Sequence, residues 1–318
     1  MAAVRTVPTT ESLPPEDVDS VWALINLAED HDGFSALNEA ASLRLRHVDH
    51  ETAHFLINDE EGVIGYGQLH GPAVAQSALV VDAAYRRRGL GTALLQRMLE
   101  ISDGGLEVWA TRNTVAARGL AARVGLIAVR QLFIMTRPLA EPIDAAEPPP
   151  GVRIRPFVPR HDEDAWLAVN AAAFATHPEQ GGLTRADLAQ RMAESWFDPA
   201  GFLVAERAGE LIGFHWTKQH PGQLGEVYVL GVDPTARVRG LGRALLTVGL
   251  EHLRQAGNTE VELYVDAENA RAVALYEKSG FSVATSDVLY ASPNSGRHPL
   301  ATMHLSSDPT ERKSQENP

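Results

Sequence analysis

Apolar residues alternate with polar ones in three stretches of the second half of the chain. The segment "GFLVAERAGELIGFHWTK" (201–218) predicts two strands joined at "AGE", and "GEVYVLGV" (225–232) predicts a third strand. Beyond it the apolar period lengthens to that of a helix, with one face made of Leu241, Ala244, Leu245 and Val248. Three strands are therefore followed by an amphipathic helix.

A further strand and helix come next. The short apolar run "VELYV" (261–265) is typical of a buried strand, and "NARAVALYEKSG" (269–280) predicts a helix. Asn269 stands where an N-cap is expected, and Gly280 stands just past the predicted end. Because strands alternate with helices in this order, the pattern predicts a mixed α/β domain.

The first half of the chain repeats this series. "AHFLINDEEGVIGYGQL" (53–69) corresponds to the paired strands. "VVDAAYRRRGLGTALL" (80–95) matches "GVDPTARVRGLGRALL" (231–246) at an offset of 151 residues. A repeat of this length indicates that one α/β domain is present twice.

A proline-rich segment separates the two copies. Residues 137–151, "RPLAEPIDAAEPPPG", contain five prolines and no periodic apolar pattern, which indicates a stiff, extended connector. The expected organisation is a first domain over 1–138, a linker over 139–151, a second domain over 152–305 and an unordered polar tail over 306–318.

Composition narrows the possible partners and location. With 44% hydrophobic and 22% charged residues the chain is typical of a globular protein, and no apolar run reaches the ~18 to 20 residues that span a bilayer. The opening "MAAVRTVPTT" lacks the features of an export signal, so we expect a cytoplasmic protein. A formal charge of -13 disfavours nucleic acid and anionic membranes. We expect a monomer whose partners are small molecules.

We expect neither a metal site nor chemistry by a cysteine side chain of the protein. The chain has no cysteine, which excludes disulfides, thiolate metal sites and a cysteine nucleophile. His177 has no second histidine at ligand spacing, so it is interpreted as a loop residue and no metal site is predicted.

The repeated glycines precede a predicted helix in both copies. A helix start carries unpaired N–H groups and the positive end of the helix dipole, and glycine lets an anion approach that backbone. The pattern Arg237-x-x-Gly240-x-Gly242 therefore suits a pyrophosphate, with arginines adding charge-assisted contacts. A Rossmann fingerprint would need a third glycine, and a Walker loop would need Gly-Lys-Ser/Thr. Neither is present.

This loop resembles that of the GNAT superfamily of N-acetyltransferases, which holds the pyrophosphate of acetyl-CoA. The resemblance covers nearly the whole chain as two copies and is strongest over 201–290. It implies two tandem GNAT acetyltransferase domains of the α/β class, each a mixed, mostly antiparallel twisted sheet flanked by helices. In the second copy it assigns to acetyl-CoA the residues Leu230, Gly231, Val232, Arg237, Val238, Arg239, Gly240, Leu241, Gly242, Arg243, Asn269 and Ala272. In the first copy it assigns Leu79, Val80, Val81, Arg87, Arg88, Gly89, Leu90, Gly91 and Thr92.

The strand before the loop carries a further expectation. In the GNAT superfamily this strand has a bulge and splays from its neighbour, so that free main-chain N–H groups bind the pantetheine and the thioester carbonyl. The matching positions are 230–232, and a glycine inside a strand is by itself typical of a bulge.

Acetyl transfer to an amine needs a base, an oxyanion donor and an acid for the leaving thiolate. Glu226 begins the third strand, and strict alternation would place it on the same face as Tyr228 and Leu230. It would lie roughly 13 Å along the strand from Leu230 and would act through water. Tyr276, whose phenol is protonated at neutral pH, matches the general-acid tyrosine of the superfamily.

The first copy lacks both groups. Aligning Gly125 with Gly280 places Ala121 opposite Tyr276, and the 151-residue offset places Ala75 opposite Glu226. We therefore expect the first copy not to catalyse. The sequence leaves open whether it holds acetyl-CoA.

The acceptor is suggested by resemblance alone. Segments 170–182, 196–199, 213–218, 225–234 and 263–269 resemble tandem GNAT enzymes of actinobacteria that acetylate the cysteinyl amine of desacetylmycothiol. The resemblance assigns acceptor contacts to Glu39, Glu179, Lys218, Glu226 and Tyr264. The alternatives are a protein N-terminus or an aminoglycoside as acceptor, and an acetyl-CoA-binding sensor without turnover.

Overall fold

A computed structural model describes residues 4–7, 13–47, 50–71, 74–102, 105–175, 180–301 and 303. Its helices are α1 (Pro15–Asp32), α2 (Glu39–Arg46), α3 (Leu90–Ile101), α4 (Val115–Val124), α5 (Glu163–Ala173), α6 (Arg185–Met192), α7 (Leu241–Gln255) and α8 (Ala270–Lys278). Its strands are β1 (Arg5–Val7), β2 (Thr52–Asn58), β3 (Val63–His70), β4 (Ala75–Val81), β5 (Leu106–Ala110), β6 (Ile127–Pro138), β7 (Val152–Pro156), β8 (Phe202–Arg207), β9 (Glu210–Gln219), β10 (Leu224–Val232), β11 (Glu260–Asp266) and β12 (Ser282–Ala291).

The chain packs as two compact units. Unit 1 comprises Met1–Leu132 and Thr285–Pro318, and unit 2 comprises Phe133–Ala284. The boundaries therefore fall inside β6 and β12. They do not coincide with the boundaries expected at 138, 152 and 305, and the expected tail over 306–318 lies outside the described residues.

Unit 1 is a mixed sheet with helices on both faces. Strands β1 to β4 pair antiparallel in chain order, β4 pairs parallel with β5, and β5 pairs antiparallel with the end of β12. One face packs on α1 and α2 through residues such as Ile25 and Leu56. The other packs on α3 and α4 through residues such as Leu94 and Ala121.

Unit 2 has the same plan. Strands β7 to β10 pair antiparallel in chain order, and β10 pairs parallel with β11. The face towards α5 and α6 is aromatic, with the rings of Phe202 and Trp216 stacked at 4.2 Å. The face towards α7 and α8 is aliphatic. We refer to these faces as the α5 side and the α7 side.

Local sequence signals set several elements of unit 2. Arg207 pairs with Glu210 across the predicted "AGE" junction, where Ala208 and Gly209 both have positive φ, as a tight two-residue hairpin requires. The predicted N-cap Asn269 accepts a hydrogen bond from the Ala272 N–H at 3.1 Å. In the described part of the chain, no helix has the length and apolar character that crossing a bilayer demands.

Candidate active site

Strands β10 and β11 separate partway along their length. They pair only through residues 224–227 and 260–263, although β10 continues to Val232 and β11 to Asp266. Between the described residues of these strands, no ladder pairs the main chain of 228–232 with that of 264–266. A gap therefore opens in the sheet where a ligand with amide or carbonyl groups can pair with free main-chain groups. The expectation that these strands splay is confirmed.

The bulge in β10 lies earlier than the sequence predicted. Thr217 pairs with Val227 and Trp216 with Val229, so Tyr228 is the extra residue. Residues 230–232 instead keep a regular register with β9, so the bulge expected at 230–232 is wrong.

The glycine at 231 is explained by close packing and not by a bulge. A Cβ at this position would lie 2.8 Å from a ring carbon of Phe214 and 3.1 Å from one of Phe174, which is closer than real side chains approach. The glycine thus makes room for Phe214 on the neighbouring strand β9 and for Phe174 at the end of α5.

The bulge reverses which side of the sheet each later residue faces. Tyr228 and Val229 both pack with the aromatic cluster on the α5 side, whereas Leu230 packs with the aliphatic clusters on the α7 side. Strict alternation had placed Glu226, Tyr228 and Leu230 on one face. That prediction is wrong for Leu230, because the extra residue shifts the period by one.

The glycine loop of unit 2 leads directly into α7. Gly240 has φ of 81° and stands at the N-cap without a side-chain hydrogen bond, so the first N–H groups of α7 remain available for an anion. Arg237 also has positive φ, at 49°, and both it and Arg239 are exposed. Near Gly242, a Cβ would meet no atom closer than 3.8 Å. The protein alone therefore does not require a glycine at 242, whereas a ligand lying on this turn would.

The remaining residues assigned to acetyl-CoA in unit 2 differ in how far they are exposed. Leu241 is fully buried in the core, so only its main chain can contact a ligand. Arg243 is exposed and forms an ion pair with Asp144 at 3.3 Å. The half-buried ones are Leu230, Val232, Val238 and Ala272.

In the equivalent loop of unit 1, one arginine is already paired with an acid of the protein. Gly89 begins α3 with φ of 87°, and Arg87 has φ of 63°. Arg86, which matches Arg237 in the repeat, binds both carboxylate oxygens of Asp32 at 2.7 Å. Its charge is therefore already compensated. The other residues assigned here are the β4 residues Leu79, Val80 and Val81, exposed Arg88, buried Leu90, and half-buried Gly91 and Thr92.

Glu226 lies one residue before the strands of unit 2 separate. It is 7% exposed and has Lys218 of β9 and Glu262 of β11 as its register partners, so the three side chains occupy the same side of the sheet. The His220 Nε2–H donates to Glu226 Oε2 at 2.7 Å and lies 3.9 Å from Glu262 Oε1.

His220, Glu226 and Glu262 are also residue types that bind metal ions. One nitrogen and two carboxylate oxygens lie within 4.8 Å of one another, the one such group found among the described residues. The 2.7 Å contact between His220 and Glu226 is the length of a hydrogen bond. The arrangement is thus explained by a hydrogen bond between His220 and Glu226, with Glu262 close by.

An aromatic and cationic wall adjoins Glu226 on the α5 side. The Lys218 Nζ lies 4.7 Å from the ring centre of Trp196 and 5.1 Å from that of Tyr228. Arg191 Nε donates to the Tyr228 hydroxyl at 3.0 Å. Tyr264 follows Glu262 by two residues in β11, so it shares this side, and it is 43% exposed.

Tyr276 lies on the α7 side, in the cluster that also contains Leu230. Its ring meets Phe281 edge to face at 5.8 Å, and burial raises the pKa of its phenol to about 12. The phenol is therefore protonated across the ordinary pH range. Because the gap between β10 and β11 joins the two sides of the sheet, a ligand in the gap could be reached from both.

Two acceptor residues predicted from the sequence are not tested by the structure. Glu39 is the half-buried first residue of α2, in unit 1. Glu179 lies outside the described residues, as does His177. Their proposed roles stay predictions.

The counterparts in unit 1 differ from Glu226 and Tyr276. Strand β4 has no bulge, so matching the last paired residues places Gln76, not Ala75, opposite Glu226. The Gln76 amide oxygen accepts from Arg44 at 2.7 Å. Ala121 accepts the N–H of Leu126, as Tyr276 accepts that of Phe281, which supports the alignment of Ala121 with Tyr276.

Sequence reasoning missed Glu262 and His220. The signal for Glu262 was its position in the strand that pairs with β10, but the register of that pairing depends on contacts distant in sequence. His220 belongs to the β9–β10 hairpin, and its contact with Glu226 depends on how that loop folds back.

Known proteins with similar sequences match both halves of the chain. Residues 166–281 match the acetyltransferase (GNAT) family and residues 50–125 match an acetyltransferase (GNAT) domain. A mycothiol acetyltransferase of Streptomyces avermitilis is 49% identical over 295 residues, covering 91% of this chain and 96% of the relative. One from Thermobispora bispora is 48% identical over 283 residues, covering 87% and 96%.

Solved structures support the fold. A tandem GNAT protein from the clavulanic acid biosynthesis pathway has a TM-score of 0.69 at 18% identity, covering 92% of this chain and 98% of its own. A GCN5-related N-acetyltransferase from Sphaerobacter thermophilus has a TM-score of 0.65 at 24% identity, covering 94% and 98%. The chain therefore belongs to the GNAT acetyltransferase family, as an acyltransferase with two GNAT domains in tandem whose curated relatives are mycothiol acetyltransferases.

Proposed function

We propose that this enzyme transfers the acetyl group of acetyl-CoA to the cysteinyl amine of desacetylmycothiol, giving mycothiol and CoA. Relatives that are 44 to 49% identical over most of their length carry the name mycothiol acetyltransferase. The structural observation that carries the proposal is the buried carboxylate of Glu226 at the mouth of the gap between β10 and β11.

Acetyl-CoA is proposed to lie across the start of α7 and into this gap. The pyrophosphate would accept hydrogen bonds from the free N–H groups of 240–243, with Arg237 and Arg239 close by to balance its charge. The fit is supported by the open space at Gly240 and Gly242, where an added Cβ would touch nothing closely. Main-chain groups of 230–232 face the gap and would hold the pantetheine and the thioester carbonyl.

Glu226 is proposed as the base that deprotonates the acceptor ammonium, through a water molecule. Its carboxylate is on the α5 side, next to the wall of Lys218, Trp196 and Tyr228. The acceptor would therefore approach from this side. Hydroxyl groups of a sugar and an inositol suit the carboxylate, ammonium and phenol groups of Glu226, Lys218 and Tyr264. Glu39 and Glu179 are proposed as further contacts on the resemblance alone.

Tyr276 is proposed as the acid that protonates the leaving thiolate. Its phenol is on the α7 side, where it shares a cluster with Leu230 at the edge of the gap. A pKa of about 12 keeps the proton on the phenol until a strong base such as a developing thiolate is near. Base and acid would thus act from opposite sides of the sheet.

Unit 1 is proposed not to catalyse acetyl transfer. Gln76 and Ala121 stand where unit 2 has the base and the acid, and neither side chain can exchange a proton at neutral pH. The pairing of Arg86 with Asp32 removes one of the charges that would favour a pyrophosphate there.

The direct test is an acetylation assay with three acceptors: desacetylmycothiol, its precursor glucosaminyl-inositol, and a peptide with a free N-terminus. Products are read by mass, separating N-acetyl from S-acetyl adducts. The proposal predicts N-acetylation of desacetylmycothiol at least a hundredfold faster than of the other two. Preference for the peptide, or release of CoA without an acetylated product, would refute it.

A further inference from the structure

His220 connects a buried pair of acids to the solvent. Its backbone N–H donates to Leu224 O at 2.9 Å, which fixes the loop between β9 and β10. The ring then reaches Glu226 at 2.7 Å and Glu262 at 3.9 Å. The imidazole side chain is 28% exposed, whereas the side chains of Glu226 and Glu262 are 9% and 8% exposed. The histidine is therefore the more accessible end of the cluster.

The two acids need a compensating charge. Glu226 and Glu262 are register partners on parallel strands, and two carboxylates buried side by side repel each other and lose hydration. On the same side of the sheet, Lys218 lies opposite Glu226, and Glu260 is exposed at the start of β11. Lys218 supplies a positive charge opposite Glu226, and the His220 ring adds a hydrogen bond to the same carboxylate.

The reaction needs a route for one proton. An acceptor ammonium loses two N–H protons on becoming a secondary amide. One of them is balanced by the proton that the CoA thiolate gains, and the other must reach solvent. Glu226 can collect that proton, but its side chain is only 9% exposed. A buried base needs a partner that accepts the proton and releases it.

We propose that His220 is a positioning and proton-relay residue that acts through Glu226. When the Glu226 carboxyl group holds a proton, the Nδ1–H form of the ring accepts it on Nε2 and releases the Nδ1 proton to solvent, so that one proton leaves per turnover. This gives the Nε2–H form that donates to the Glu226 carboxylate, and exchange of ring protons with solvent restores the Nδ1–H form before the next turnover. Between turnovers the same hydrogen bond orients the carboxylate. This role rests on the proposed function, since it needs Glu226 to be the base.

Variants of His220 test the relay. His220→Gln can still donate one hydrogen bond but cannot pass a proton between two nitrogens, so kcat should fall roughly 10- to 100-fold with the KM for acetyl-CoA unchanged. His220→Ala should lose as much and should recover with added imidazole, more strongly for imidazoles of higher pKa. The matched control is His252→Gln, because His252 pairs with Asp198 at 3.2 Å in the same unit and should not alter kcat. Loss without rescue by any imidazole, or full activity in both His220 variants, would overturn the proposal.

Nitrogen NMR separates the relay from the identity of the acceptor. The spectrum of the His220 ring reports which ring nitrogen is hydrogen-bonded, and it can be recorded in wild type and in Glu226→Gln without any acceptor. We expect the Nε2 signal of wild type to show the hydrogen bond to the Glu226 carboxylate and Glu226→Gln to change that signal, and identical spectra would overturn the relay even if desacetylmycothiol is the substrate. Activity that a chelator abolishes and one bound metal per chain restores would make His220 a ligand, and would equally overturn it. If another amine proves to be the acceptor, the same variants and the same spectra apply with that amine.

Discussion

Glu226 and Glu262 lie opposite each other on β10 and β11, one residue pair before the two strands separate. Unit 1 has Gln76 opposite Glu107 at the corresponding pair, and there the acid is bound by Arg297 at 2.6 Å. One unit thus keeps two acids beside a histidine at the mouth of its gap, while the other has an amide and a neutralised acid. This contrast is the basis for proposing that the proton chemistry takes place in unit 2.

The first prediction concerns the turn that begins α7. Gly242→Ala should leave the fold intact, because the new methyl group would lie 3.8 Å or more from its protein neighbours. It would occupy the space proposed for the pyrophosphate, so the KM for acetyl-CoA should rise about tenfold, or ~1.4 kcal/mol. Steady-state kinetics and thermal melts measure both. Thr247→Ala, further along α7, is the control, and an equal effect there would contradict the assignment.

A second prediction distinguishes the roles of two buried tyrosines, Tyr276 and Tyr290. Tyr276→Phe should lower kcat by roughly a hundredfold and leave the melting temperature unchanged, because in the described structure no hydrogen bond to its phenol oxygen is present. Since its pKa is about 12, the phenol is protonated throughout, and the loss should be the same from pH 7 to pH 9.

Tyr290→Phe is the matched variant in unit 1. It removes a hydrogen bond to Asn113 Oδ1 at 3.0 Å, so it should cost about 1 kcal/mol of stability and leave kcat unchanged. If both variants behaved alike, Tyr276 would have no chemical role.

A third prediction tests the packing behind the site. A Cβ at Gly249 would lie 2.1 Å from ring atoms of His215, which is fully buried and bonded to Leu245 O at 2.9 Å. Gly249→Ala should therefore lower the free energy of unfolding by about 1 to 3 kcal/mol. Gly119→Ala, in α4 with no atom within 4 Å, should instead raise it by about 0.5 to 1 kcal/mol. Urea unfolding compares the two, and equal effects would contradict the packing described.

A fourth prediction concerns pH. Burial raises the pKa of Asp287 from 3.8 to about 6, against the hydrogen bond from the Arg112 N–H at 2.8 Å, which lowers it. The unfolded carboxyl ionises first, so wild-type stability is lost as pH rises from about 4 through 6. Asp287→Asn can keep the hydrogen bond and should be more stable than wild type at pH 8 by up to about 2 to 3 kcal/mol. At pH 4 the two should match, and a constant difference at both values would refute this origin.

Local signals in the sequence predicted much of unit 2. The hairpin at 207–210, the cap at Asn269 and the turn at Gly240 each depend on a few neighbouring residues, and the structure has all three. The bulge at Tyr228 was not predicted, because tyrosine fits regular alternation and the extra residue shows only against β9.

The bulge at Tyr228 also explains two errors in the predictions from sequence. One inserted residue moved Leu230 to the other side of the sheet and replaced Ala75 by Gln76 as the counterpart of Glu226. The pairing of Glu226 with Glu262 and His220 depends on strand register and loop closure, which are set by distant parts of the chain.

The central claim is that Glu226 provides the base for amine acetylation. Its most direct test is the initial rate of N-acetylated product from acetyl-CoA and desacetylmycothiol, measured for wild type and Glu226→Gln after both are shown to be folded and to bind acetyl-CoA equally. Glu260→Gln, an exposed acid on the adjacent strand, is the control. We expect Glu226→Gln to be at least a hundredfold slower and the control to match wild type. A Glu226→Gln rate equal to that of wild type would contradict the account.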